Sequence, residues 1–409
     1  MRYRQMSGPV PVVVVWALSR ALLLVLVFQL VDFPGQSVVY DVTSVYQRWY
    51  PTLRHGAFPA HDVTWQYPPG AAAVLVAPGA LPFLRYPAAF FWLAFLADAA
   101  VLAALLRDAS RRSWRLDGVW VWVLGVLLLG PIVYARYDIM ATAVGVVALL
   151  ALRRRPALGG LLAAAGGLIK VWPLLLLTGT PPGRGTHRAW LAAAGTAVGG
   201  CVLFAATMPG AFSFLTFQRD RGTEVESLGG LVLHLARHAG WPGVTALHYG
   251  SVEFIGPHVD LVSDGALALS VLAFCWLLLW RLRARVFTAA TPCDAGFVAV
   301  LLFTTTSRVI SPQYLVWLIG IGAVCLAARE SVVRLPVLLL VPAALLTTLE
   351  FPVCFPHVVH SDLLGVALVL ARNALLAAAT FLGCRRLWHA TRPLPLPAKA
   401  PHAPAGASR

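Results

Sequence analysis

The chain has 409 residues, of which 59% are hydrophobic and only 12% charged, and its mean hydropathy is +0.76. That excludes a soluble enzyme, and because the apolar runs are continuous rather than alternating it excludes a β-barrel too. The formal charge of +15 comes from arginines grouped in short loops between those runs. Such grouping orients membrane helices, so nucleic acid is not an expected partner.

MRYRQ followed by the apolar run 10–31 has the charge order of a signal peptide. The run is too long for one and lacks an A-x-A cleavage site, so it is expected to remain as an anchor with the N-terminus in the cytoplasm. Arg20 lies inside it and reads either as a functional group or as a side chain snorkelling to the cytoplasmic surface. Residues 32–70 then form the first outer loop, with Asp41 and Asp62 set among Tyr46, Trp49, Tyr50, Trp65 and Tyr67. A plain linker needs neither paired acids nor so many amphipathic rings, so this loop is expected to fold back on the membrane surface as part of a site.

Residues 71–84, broken by Pro78 and Pro82, are expected to lie in the interface or re-enter it, and 87–106 to cross to the basic stretch 107–115. The runs 119–133 and 139–152 read as a crossing out and a crossing back, joined through PIVYARYD. Residues 157–169 and 171–178 flank Lys170 as a short hairpin with the lysine near its outer tip. After 189–208 comes a second long outer loop, 209–264, and the runs 265–280, 295–306, 314–328, 335–349 and 363–384 complete the set. The fold class is therefore an all-α polytopic membrane bundle of about 10–12 transmembrane helices in one domain, 1–390. The Pro- and Ala-rich tail, 391–409, receives no structure. Six scattered cysteines show no CxxC spacing and read as small apolar residues, implying neither disulfides nor a zinc site.

This topology rests on basic loops and run lengths, yet it sends the unusual polar residues to one side. Asp41, Asp62, Arg136, Asp138, Lys170, Arg221, Glu226, Arg308, Gln313, Glu350 and His357 all fall at outer helix ends or in outer loops. Such one-sidedness indicates a cavity open to the outer leaflet. Guanidinium and ammonium groups at interface depth suit a lipid phosphate, a carboxylate opposite them can take the proton of an attacking hydroxyl, and the rings can stack on a sugar. Together they describe group transfer from a lipid-linked phosphate donor.

Six stretches in this order, YDVTSVY (40–46), WQYPPGA (65–71), RYDIMA (136–141), LIKVWPLLLL (168–177), RDRGTEVES (219–227) and SRVISPQYLVWL (307–318), make the chain resemble a known family. It is similar to the polyprenyl-phosphate-dependent mannosyltransferases of actinobacteria, within the GT-C class of integral-membrane glycosyltransferases. The resemblance implies a plasma-membrane enzyme with its active site facing outside. It implies transfer of mannose from a polyprenyl-phosphate sugar to a glycolipid or polysaccharide acceptor, with inversion. A catalytic aspartate just past the first span maps onto Asp41, with Asp62 as the second candidate. Lys170, Arg221 and Arg308 are the expected donor-phosphate ligands, and Tyr46, Trp65, Tyr67, Glu226, Gln313 and His357 the expected sugar or acceptor contacts.

Each assignment has a plainer counterpart. Asp41 is placed to cap a helix over 43–53, Arg221 and Glu226 to pair with each other, and Arg136 and Asp138 to form a local pair or cavity wall. His357 and His360 follow Glu350 at a spacing that invites a divalent metal, but no DxD motif accompanies them, so no cofactor is firmly implied. The rival of another class is a lipid-linked sugar flippase or other transporter. That needs ionisable groups at mid-span, and the chain offers little beyond Arg20 and Asp98.

Overall fold

A computed structural model describes residues 8–111 and 115–392; Arg2, Arg4 and the tail from 393 lie outside the described residues. The elements in order are α1 (Val10–Val27), a π-helical turn (Asp41–Tyr46) running into α2 (Gln47–Arg54), α3 (Ala71–Val76), α4 (Tyr86–Ser110), α5 (Asp117–Leu129), α6 (Asp138–Leu152), α7 (Pro156–Ile169), a 3₁₀ segment (Trp172–Gly179) and α8 (Arg184–Thr207). The second half holds α9 (Phe214–Arg219), α10 (Leu228–His238), β1 (Val244–His248), β2 (Ser251–Ile255), α11 (Val259–Arg283), α12 (Thr291–Thr305), α13 (Tyr314–Leu326), α14 (Arg334–Thr348), α15 (Phe355–His360) and α16 (Leu363–Ala390).

Among the described residues six helices are long and apolar enough to cross a membrane: Val10–Val27, Tyr86–Ser110, Arg184–Thr207, Val259–Arg283, Arg334–Val353 and Leu363–Ala390. Six shorter apolar helical stretches accompany them. The protein is thus an all-α polytopic membrane protein. Its β1–β2 antiparallel hairpin, pairing Val244 with Ile255 through to His248 with Ser251, is a small addition that the sequence reading lacked.

Sequence explains the layering. α13 reads YLVWLIGIGAVCL with no charge on any face, and every residue from Leu315 to Leu326 is buried, as expected of a helix that is apolar all round and has no polar stripe to turn outward. It packs against α5, α6, α12 and α14. α8 is the opposite case: only Ala189 and Ala193 are buried, and Leu191, Val198 and Val202 face outward, a surface suited to lipid tails. It approaches α7 very closely because a Cβ at Gly160 would land on the Ala189 carbonyl.

Arg20 neither snorkels nor faces a cavity. It is fully buried and its Nε meets Asp98 Oδ2 at 2.7 Å. Trp16, Trp122 and Tyr134 also donate to the Asp98 carboxylate, and Arg20 donates to the Val123 carbonyl. A single carboxylate thereby ties α1, α4, α5 and the following turn together inside the bundle. A second buried pair, Glu350 with Arg372 at 2.6 Å, joins the end of α14 to α16.

Helix ends set the site. α7 stops where Lys170 turns to extended geometry, φ −152°, and Pro173 then holds the chain in the 3₁₀ segment. α5 stops at Gly130, φ +69°, a conformation glycine adopts without a Cβ penalty. The chain between α5 and α6, the tip at Lys170, and the loops before α3 and α13 all reach the same end of the bundle. The residues between α8 and α11 close over that end through a small core shared with α15, in which Val225, Leu233 and Phe254 pack with Phe355 and Val358.

Candidate active site

Asp41 is the first residue of the π-helical turn, and it does not cap the following helix. Its Oδ2 meets Arg136 Nε at 3.0 Å while the carboxylate stays partly exposed at 28%. Arg136 is itself pinned: its Nη1 donates to the carbonyls of Val38 and Ala135, both at 2.8 Å. The guanidinium is therefore built into the backbone on either side and presents one fixed edge to Asp41, whose Oδ1 has no hydrogen-bond partner among the described residues.

RYD does not close on itself. Arg136 turns to Asp41, whereas Asp138 turns to Lys170, with Nζ 2.9 Å from Oδ1. The same Oδ1 accepts from Trp317 Nε1 at 2.8 Å. Around the ammonium stand the rings of Tyr137, Trp317, Tyr314 and Tyr67, with centroids at 4.9, 5.2, 5.2 and 5.3 Å. A lysine so enclosed is held by one carboxylate and by ring quadrupoles.

That lysine opens onto a cavity of ≈ 330 Å³, whose wall also includes Tyr67, Gln218, Arg221, Arg308, Tyr314 and Trp317. Arg221 does not pair with Glu226. Its Nε meets Glu253 of the hairpin at 3.0 Å, and its Nη2 donates to Ser251 at 2.6 Å. Arg308 has no carboxylate partner among the described residues; it donates to the Gln218 and Arg219 carbonyls and faintly to Ser263. Burial, and then the like charge of Arg221, hold Arg308 below the usual guanidinium value. Asp138 and Glu253 pair with two of these three cations, and Arg308, which has no carboxylate partner among the described residues, is left to meet an anion in the cavity.

Glu224 fastens this wall. Its Oε2 accepts from the Ile310 N–H at 2.7 Å, its Oε1 from Ser311 Oγ at 3.2 Å, and its own N–H donates to the Arg308 carbonyl at 3.0 Å. Burial pushes the Glu224 carboxyl up to about 7, against the pull of Arg221.

The remaining expected residues fall into separate places. Tyr67 lines the cavity, and its phenol is held protonated by burial and then by Asp41 and Asp138. Tyr46 and Trp65 are fully buried: Tyr46 packs on Trp49, Phe90 and Tyr137, and Trp65 on Trp49, Phe58 and Tyr67. These rings form the loop's own core. Asp62 borders another groove and spends both oxygens on Thr64, Trp49 and Arg48. Burial opposes its charge, but the bonds from Thr64 and Trp49 outweigh it and leave the carboxyl below the usual range.

Glu226 is buried with Oε1 unpartnered, and burial with Glu224 and Glu350 pushes its carboxyl well up. Gln313 sits at the start of α13, outside the cavity wall. His357 pairs with exposed Asp362 at the head of α16, and its neighbour in sequence, Glu350, is taken by Arg372. Sequence reasoning overlooked Tyr314 and Trp317 as site residues, although both directly follow the SRVISPQ break, and it overlooked Glu253, for which a lone acid in a hairpin gave no signal.

The sequence model of glycosyltransferase family 87 matches residues 65–312. The chain belongs to glycosyltransferase family 87. No curated protein and no solved structure matches it. With its apolar helices the protein is a multi-pass membrane glycosyltransferase, and the family match includes every cation of the cavity while Asp41 lies before it.

Proposed function

We propose that this glycosyltransferase moves a hexose from a polyprenyl-phosphate sugar to a glycolipid or polysaccharide acceptor at the outer face of the plasma membrane. Mannose is the hexose that the motif series favours, and the bundle belongs by the same resemblance to the GT-C class. The observation that carries the reading is the convergence of Lys170, Arg221 and Arg308 on one cavity. A sugar phosphate needs such a set, because its phosphate must be held as donor and stabilised as leaving group.

In this reading an acceptor hydroxyl attacks the anomeric carbon from the face opposite the phosphate. The carbon–oxygen bond to phosphate breaks, the configuration inverts, and Asp41 takes the hydroxyl proton on its free Oδ1. The polyprenyl phosphate departs with the bonding electrons onto Lys170, Arg221 and Arg308. Arg136 orients Asp41, and Asp138 with the four rings holds Lys170 in place. Asp62, with both oxygens committed, serves the loop. The carrier alternative gains nothing from Arg20 and Asp98, since that mid-bundle pair is sealed from any path at 0% exposure.

The test supplies purified protein with labelled polyprenyl-phosphate mannose or with nucleotide sugars, together with envelope lipid extract. Label should pass from the polyprenyl donor into a larger glycolipid or glycan. Transfer from nucleotide sugars alone, or movement of labelled lipid across liposomes without product, would defeat the proposal.

A further inference from the structure

At the end of the bundle away from the cavity lies a second hollow that the proposed reaction does not use. α6 connects the two, starting at Asp138 beside Lys170 and ending at Leu152; its 15 residues span about 22 Å. The hollow is a groove of ≈ 540 Å³ between α4, α6 and α7, with Arg107, Arg111, Arg154 and Arg155 on its rim. Its wall toward the bundle middle is apolar, with Val147 and Leu158 both exposed.

The four guanidiniums are exposed and none has a carboxylate partner among the described residues. Three other arginines at this end are paired with acids: Asp117 takes both Arg115 and Arg334, and Asp108 in the groove floor takes Arg153 at 3.7 Å. What sets this group apart is its place: the four guanidiniums stand directly above a lipid-facing apolar trough. An acyl chain in the trough and a phosphodiester among the arginines would satisfy both halves at once. We infer that this groove is a binding site for an acidic phospholipid, occupied from the leaflet opposite the sugar-transfer cavity.

The full-length protein in detergent micelles is titrated, under native mass spectrometry, with phosphatidylglycerol, with phosphatidylcholine of the same chains, and with inorganic phosphate. Phosphatidylglycerol should bind about tenfold more tightly than phosphatidylcholine, and the triple variant Arg107→Gln, Arg154→Gln, Arg155→Gln should erase that difference. A matched variant, Arg281→Gln, Arg283→Gln, Arg285→Gln, should keep it. A photoactivatable phosphatidylglycerol on the unaltered protein should crosslink to residues 103–111 and 147–158, a readout independent of whether the triple variant folds. Equal binding of the two lipids, equal loss in both variants, displacement of the lipid by equimolar phosphate, or crosslinks confined to other helices would each overturn the assignment.

Discussion

Replacing Asp98 by Asn tests how the bundle tolerates its deepest charge. The Asp98 carboxylate, itself fully buried, takes Arg20 Nε at 2.7 Å, Trp122 Nε1 at 2.7 Å, Tyr134 OH at 2.6 Å and Trp16 Nε1 at 3.3 Å. The amide keeps the shape and one acceptor, so the main loss is the countercharge of a fully buried guanidinium. Breaking a buried pair on one side costs about 3–5 kcal/mol, and the lost acceptor adds roughly 1 kcal/mol. Changing Arg20→Met together with Asp98→Asn removes both charges and should restore at least about 2 kcal/mol of that loss. The assay is reversible SDS unfolding of detergent-solubilised protein, wild type against both single variants and the double. If Asp98→Asn lies within about 0.5 kcal/mol of wild type, or the double variant is no better than the sum of the singles, the pair does not hold α1 to α4 as described.

Arg136→Gln should lower kcat by roughly ten- to a hundredfold with little change in donor KM, because it disorients Asp41 and leaves the cations in place; steady-state kinetics over donor concentration decide this. Arg308→Gln should do the reverse, raising donor KM by roughly tenfold or more as one charge-assisted phosphate contact is lost. His234 is buried between Ser361 Oγ and the Val225 carbonyl at 2.7 and 2.8 Å, and burial depresses it to about 4. The unfolded chain therefore binds the extra proton between about 6.5 and about 4, so His234 should make stability fall as pH drops through that window. Melting scans of His234→Gln against wild type should show a shallower acid slope in the variant.

Span placement was readable because a long apolar run in a chain this poor in charge has one stable home, and Pro and Gly mark where each run must stop. The run 87–106 became α4 and 139–152 became α6 with shifts of only a few residues. Site membership was partly readable: a lone lysine between apolar runs and an arginine at the SRVISPQ break are costly unless they face something polar, and Lys170 and Arg308 share one cavity with Arg221. Partner choice was not readable. Arg221 lies five residues from Glu226 yet meets Glu253 through a hairpin, and RYD splits its two charges between Asp41 and Lys170, because pairing across elements depends on packing that local spacing does not encode. Ring orientation was hidden for the same reason: Tyr46, Trp65 and Tyr67 look alike in sequence, and only Tyr67 reaches the cavity.

Single-turnover transfer by Asp41→Asn, at donor concentrations shown by direct binding to saturate the protein, tests the central claim most directly. The account predicts donor affinity within about twofold of wild type and a transfer rate lower by roughly 10²–10⁴-fold, the usual contribution of a positioned base. Transfer at the wild-type rate with the donor bound would contradict it.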